Sequence, residues 1–241
     1  MQGKKKLLRT LGIIFFSLGV LVGMAIFVFM NWAYFEAYFF FGYIAPADQP
    51  LTTLRCPLLM TTGETGAVTI SLTNNTTRDI SPAIQTEISY YGAATLEKNN
   101  YPVAAGKTSK ISWTVTSDDI VFGDLIMARV YVYSTYTLHS RSGTCGTVVV
   151  NLPGLSGTDL FFILLASSLA CMVAGWSLWL AGSRPLQVDG LIALRALVAF
   201  TAVVLLGTLA GCFGWWVVGL FCAVASVLLI ITVVGYYVQK A

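Results

Sequence analysis

Four apolar runs, each of about 20 residues or more, occupy positions 7–30, 160–181, 191–212 and 215–237. At about 1.5 Å per residue, each can cross the ~30 Å hydrocarbon core of a bilayer as a helix. A backbone buried in lipid must satisfy its own hydrogen bonds, which leaves helices or closed barrels as the only spanning structures. Arg195 is the only charged residue in the last three runs. Charged residues make up 10% of the chain, against roughly 25% in a soluble domain. That is too few to cover a soluble surface, and the apolar content excludes disorder. The expected class is a membrane protein with four transmembrane helices and a polar β region between helices one and two.

The segments follow from the composition shifts. A basic N-terminus (1–6) precedes the first helix (7–30). An aromatic interfacial segment (31–50) leads into the β region (51–153). Helix two (159–181), a short loop (182–190), helix three (191–212), helix four (215–237) and a C-terminal stub (238–241) complete the chain. Basic residues near membrane ends set orientation. Lys4, Lys5, Lys6, Arg9, Arg184, Arg195 and Lys240 fall on one side with one acid, Asp189. The other seven basic residues face ten acids. The expected layout has both termini cytoplasmic and the β region outside a plasma membrane, the inner membrane if the host is bacterial. A secretory signal is the alternative for the first run. That run is too long for an h-region, and the small residues Ala45 and Ala47 lie too far along for cleavage, so an uncleaved anchor is expected. A net charge of +3 is too small to argue for nucleic acid.

Between the first two runs, apolar and polar residues alternate with period two. Val68, Ile70 and Leu72 share one phase, as do Ile84, Thr86, Ile88 and Tyr90. Ile111, Trp113 and Val115 form another such set, and Ala128, Val130 and Val132 a fourth. Turn chemistry at Asn74–Asn75, Tyr91–Gly92, Ala105–Gly106, Asp118–Asp119 and Ser142–Gly143 separates the runs. About seven short strands at this spacing predict an antiparallel, immunoglobulin-like β-sandwich. Its expected core is Val68, Ile70, Leu72, Ile84, Ile88, Ile111, Trp113, Val115, Val130 and Val132.

The stretches VTISLTNNTTRDISPAIQTEIS (68–89) and YPVAAGKTSKISWTV (101–115) resemble CARDB-type and related immunoglobulin-like domains of prokaryotic envelope proteins. In those, an early strand ends in Asn, and a Pro/Ala-Gly-Lys turn leads into a strand bearing an aromatic. The resemblance spans about 90 residues and implies an extracytoplasmic adhesive or scaffolding domain, with no activity attached.

Of five cysteines, Cys171, Cys212 and Cys222 lie in the apolar runs, where a thiol acts as a small apolar filler. Cys56 and Cys145 are the two outside them. In an oxidising compartment they are expected to pair, the alternative being two buried free thiols. Asn74 and Asn75 begin overlapping N-x-Thr acceptors, usable for glycosylation in a eukaryotic host and otherwise a hairpin tip.

Catalytic patterns are scarce. His139 is the sole histidine, and no third ligand stands at zinc-site spacing from it and Cys145. No G-x-S-x-G elbow, P-loop or dinucleotide fingerprint occurs. Asp118, Asp119 and Asp124 do not fit a calcium loop. No cofactor or metal is expected. Arg195, about one turn inside the cytoplasmic end, reads as a snorkelling arginine rather than a transport or gating group. Small residues four apart (Gly19 and Gly23; Ala166, Ala170 and Ala174; Gly207 and Gly211; Gly219 and Ala223) predict close helix packing, within the chain or with partners.

Residues 31–45 are the densest aromatic segment. Trp32, Tyr34, Phe35, Tyr38, Phe39, Phe40, Phe41 and Tyr43 are candidate contacts for lipid or partner. A helix over 7–45 would be about 58 Å long, nearly twice the hydrocarbon thickness, so part of it must leave the bilayer. The segment is expected to be a helix-like collar that either packs under the sandwich or docks another membrane subunit. The leading functional expectation is a non-catalytic membrane subunit or surface protein. It would bind lipid, with other membrane subunits or its own copies as partners. An accessory or permease component of a transport system is the alternative. A claudin-like protein lacks support, because the external cysteines lie 89 positions apart. A membrane enzyme is least favoured, for want of paired catalytic groups.

Overall fold

The structure is a computed structural model that describes residues 2–42, 47–90, 93–135, 138–184 and 188–238. They form two compact units: residues up to Asn31 together with those from Phe161 onward, and Trp32–Leu160. Among the described residues, four helices are long and apolar enough to cross a membrane: α1 (Gln2–Phe40), α2 (Gly157–Ser183), α3 (Val188–Phe213) and α4 (Trp216–Val238).

In the helical unit, α1 is the most buried span. Phe16, Val20 and Phe27 of α1 meet Met172 of α2, Val204 of α3 and Cys222 of α4. Glycines set the α1–α2 approach. A Cβ on Gly12 would lie 2.6 Å from the Trp179 backbone nitrogen, and one on Gly175 2.5 Å from that of Phe16. Without side chains at these points the two backbones can touch, which is how helices gain dispersion contact where lipid removes the hydrophobic drive. Ser168 adds a hydrogen bond, its hydroxyl donating to the Gly19 carbonyl at 2.7 Å. Ala166, Ala170 and Ala174, expected to pack closely within the chain or with partners, are exposed within the chain. α3 ends in a Schellman cap: Gly214 takes φ +72°, Trp215 N–H donates to the Ala210 carbonyl (2.8 Å) and Gly214 N–H to that of Gly211 (3.2 Å). The cap satisfies the last carbonyls and turns the chain directly into α4.

The β unit holds β1 (Gln49–Pro50), β2 (Leu59–Thr61), β3 (Gly66–Thr73), β4 (Ala83–Tyr90), β5 (Ala93–Asn100), β6 (Thr108–Val115), β7 (Leu125–Val132) and β8 (Arg141–Val150). A six-stranded sheet runs β1-β8-β7-β4-β5, with β2 also on β8, and β3 pairs with β6 as a separate ribbon. Val68, Ile70, Leu72, Ile84, Ile111, Trp113, Val115, Val130 and Val132 are buried, as the alternation predicts, and Ile88 is half-buried. The Cys56–Cys145 disulfide joins the segment before β2 to β8, and the adjacent Arg55 pairs with Thr69 of the ribbon.

The expected fold class requires correction. One helix precedes the strands and three follow them, and the region between is not the expected wholly antiparallel sandwich of about seven strands. Among the described residues it has eight strands, and β1 and β2 both run parallel to β8. As expected of the aromatic segment, α1 runs on past the apolar run to Phe40, and its last turns belong to the β unit. There Ala33 and Ala37 pack on Leu125, Met127 and Val148. β7 is therefore buried along nearly its whole length, while residues 94–100 of β5 stay exposed. Gly146 on β8 makes this contact possible, since a Cβ there would lie 2.0 Å from the Ala33 carbonyl oxygen. Ser142 and Gly143, expected as a turn, lie inside β8, where Leu51 and Leu54 crowd Gly143.

Candidate functional site

The end of α1 divides its side chains between two faces. The small residues Ala33 and Ala37 are buried with Tyr34, while Trp32, Tyr38 and Phe39 are exposed. The outward side is a continuous ladder: Trp32 on Phe35 with centroids 5.4 Å apart, Phe35 on Phe39 at 4.7 Å, and Tyr38 edge-on to Phe39 at 5.5 Å. Tyr34, Tyr38 and Phe41 do not share one exposed face, because Tyr34 turns inward and Phe41 sits at the helix end. Phe40 extends the aromatic surface through an edge contact with Phe122 at 5.8 Å. Sequence reading missed Phe122. It is 68% exposed and holds φ +51°, a backbone region that costs a bulky residue of order 1–3 kcal/mol. Its only sequence signal is its place before Gly123. Tyr43 lies outside the described residues.

Next to the ladder, a polar network ties helix to sheet. Arg129 on β7 forms an ion pair with Glu87 on β4, both side chains about nine-tenths buried. Arg129 Nη1 also donates to the Phe41 carbonyl at 2.9 Å, and the Phe41 ring lies 5.0 Å from the guanidinium. On the far side, Gln85 Nε2 donates to Glu87 Oε1 (2.6 Å), and Tyr133 donates to Gln85 Oε1 (2.6 Å). The Lys98 ammonium stands 4.2 Å over the Tyr133 ring. Gln85, Glu87, Arg129 and Tyr133 border a groove of about 520 Å³ that Tyr38, Gln49 and Tyr131 also line. Its two buried charges are spent on each other. What it offers a ligand is tyrosine rings and hydroxyls beside the backbone of β8.

The remaining candidates are placed as follows. Asn74 is buried and committed: its amide nitrogen donates to the carbonyls of Arg78 (2.8 Å) and Val103 (3.0 Å), and its Oδ1 accepts from Thr76 N–H (3.0 Å). Asn75 is exposed. The pair lies in the crossover from the ribbon to the large sheet, not at a hairpin tip. His139 is exposed. Beside it, Asp48 accepts from the Ser140 hydroxyl (2.7 Å) and the Ser140 N–H (3.0 Å). The hydroxyl bond first, then the backbone bond, holds the Asp48 carboxyl below the usual carboxylate range. Among the described residues, no group of three or more His, Cys, Asp or Glu is placed to hold a metal ion. Asp119 serves a local role: its carboxylate accepts from Thr116 N–H (2.7 Å) in a capping box that opens a single 3₁₀ turn, Ser117–Asp119.

In the helical unit, Arg195 and Arg9 line one cavity of about 640 Å³ between α1, α3 and α4. Farther along α1, Asn31 is buried, and its amide nitrogen donates to the carbonyls of Phe27 (2.7 Å) and Gly207 (3.1 Å).

No family model matches the chain, and no curated protein matches it. Solved structures share local likeness with it. A cycloisomaltooligosaccharide glucanotransferase from Paenibacillus sp., complexed with cycloisomaltoheptaose, matches 43% of this chain at 15% identity and TM-score 0.32, over 14% of its own length. The CARDB domain of a Pyrococcus furiosus protein, in complex with di-metal ions, matches 41% of this chain at 8% identity and TM-score 0.30, over 90% of its own length. The sporulation control protein Spo0M of Bacillus subtilis matches 42% at 13% identity and TM-score 0.26, over 48% of its length. Likeness at this level assigns neither a family nor an activity.

Proposed function

We propose that the chain is a non-catalytic multi-pass membrane protein that assembles with other membrane proteins through the aromatic ladder at the end of α1. The observation that carries this reading is the division of that helix. Its small residues contact the sheet, so the large rings of Trp32, Phe39 and, beyond them, Phe122 are turned away from it. Aromatic side chains bring large contact area at low entropic cost and favour membrane interfaces, which suits a docking edge close to lipid headgroups. The charge asymmetry supports a topology with both termini in the cytoplasm and the β unit outside, in the bacterial inner membrane or an equivalent plasma membrane. The resemblance of residues 68–89 and 101–115 to CARDB-type segments supports an extracytoplasmic scaffolding role.

A photo-crosslinking amino acid at position 39 tests the assembly in native membranes. The expected product is one recurrent protein adduct, abolished when Trp32→Ser is added, with no adduct from a probe at position 37. Crosslinks to lipid alone from position 39 would reduce the ladder to an anchor. External labelling of a cysteine placed after Lys240 would overturn the topology.

A further inference from the structure

The cavity between α1, α3 and α4 has a charged end and an apolar length. Arg9 follows the first residue of α1 by seven positions, and Arg195 follows the first residue of α3 by seven. Both line the cavity, with Trp179 and Tyr236 also in its wall. Along α1 the lining runs from Arg9 to Met24, about 22 Å at helical rise and more than half the ~30 Å hydrocarbon core. Val20, Met24, Phe200, Leu229 and Val233 make the walls apolar. Ala193, Ala196 and Ala199 leave the room: at spacing three along α3, they present methyl groups where larger side chains would fill the space. The only ion pair among the described residues is elsewhere, between Arg129 and Glu87, so neither cavity arginine is neutralised by a described carboxylate.

We propose that this cavity holds one anionic phospholipid from the leaflet that the N-terminus faces. The phosphate sits between the Arg9 and Arg195 guanidinium groups, and an acyl chain lies along the alanine row of α3. Two guanidinium groups at one end of an apolar slot suit an anion that carries a long hydrocarbon tail, because each stands at the edge of a low-dielectric medium with no partner carboxylate among the described residues. Guanidinium matches phosphate geometry with its forked donors. The snorkelling expected of Arg195 thus gains a destination. This inference stands apart from the assembly role of the aromatic ladder and uses none of its residues.

Native mass spectrometry of the delipidated full-length protein, titrated with palmitoyl-oleoyl phosphatidylglycerol or phosphatidylcholine, tests it. One retained phosphatidylglycerol per chain is expected, in preference to phosphatidylcholine. The double variant Arg9→Gln/Arg195→Gln should weaken phosphatidylglycerol retention by about twenty-five-fold, at about fivefold per arginine near a lipid surface. Lys4→Gln/Lys6→Gln, which removes two exposed cations that do not line the cavity, should leave it unchanged. Ala196→Trp keeps both charges but fills the slot and should lower phosphatidylglycerol retention to the phosphatidylcholine level. It carries the test alone if the arginine variant does not fold. Equal retention of the two lipids, retention of neither, or a lysine variant that loses as much as the arginine variant would each overturn the proposal.

Discussion

The Arg129 guanidinium, on the third strand from one edge of the large sheet, donates to the carbonyl of Phe41, one residue past the last turn of α1. That carbonyl lies at a helix C-terminus, where the macrodipole favours a cation. Glu87 supplies the opposite charge from β4, directly across the ladder from Arg129. Helix end and sheet are thereby joined by one buried cation with two acceptors.

Glu87→Ala should be far more damaging than its size suggests. It leaves Arg129 buried with the Phe41 carbonyl as its remaining acceptor among the described residues, and removing one partner of a buried pair costs about 3–5 kcal/mol. Replacing both residues by leucine should cost less than the single change, because no uncompensated charge is left behind. Denaturant unfolding of the full chain in detergent, followed by protease susceptibility of the β unit, gives the ranking. A double variant as unstable as the sum of the singles would show that the two residues do not act as a pair.

Cys56 and Cys145 close a loop of 89 positions. In the chain-entropy account, a bridge of that span disfavours the unfolded state by about 4–5 kcal/mol. Reduction, or Cys145→Ser, should lower the unfolding temperature of the β unit and leave the helical unit intact. Peptide mapping of oxidised protein without reductant should recover the linked pair, and two alkylated thiols would be the contrary result.

Asp48 gives the fold a pH dependence of known sign. Its folded pKa is depressed, chiefly by the Ser140 hydroxyl and next by the Ser140 backbone N–H. A depressed carboxyl contributes stability that is fully present above its unfolded pKa of about 3.9 and is lost as pH falls through the folded value. Asp48→Asn should therefore be less stable than the parent at neutral pH, with the two curves converging in acid. Parallel curves down to pH 2 would show that the Ser140 contacts do not select the ionised form.

What the sequence made legible was local. Val68, Ile70 and Leu72 announce a strand because their period matches the pleat, and their burial follows. Chain regions that meet across long separations left weaker marks. The pairing of β1 and β2 with β8 involves two and three residues, too short for any periodicity. Glu87 and Arg129 sit on the polar phase of their strands, which a one-sided sheet would turn to solvent. Only the arrival of α1 on that face buries them. The signal for that arrival was present in Ala33 and Ala37, four apart among large rings, matched by Gly146 on β8. The large rings face outward, and the small residues make the contact with the sheet. Gly143 misled for a related reason, since the glycine that permits a turn also permits a close approach inside a strand.

Asn31 and Gly219 provide the most direct test of the helical unit. The Asn31 side chain is buried and donates to the carbonyls of Phe27 and Gly207, while its Oδ1 accepts no hydrogen bond from the described residues. It is received by α4 only because residue 219 has no side chain: a Cβ there would lie 2.0 Å from both Cγ and Oδ1 of Asn31. Gly219→Ala must therefore push α4 away or force the amide from its bonds, an overpacking cost of about 1–3 kcal/mol. Asn31→Ala alone forfeits two hydrogen bonds and opens a void. Combined, the changes exchange one filled site for another, so the double variant should be more stable than the two separate losses would sum to. A double-mutant cycle on steric-trap or denaturant unfolding measures that coupling, and strict additivity would mean that α4 does not rest on Asn31.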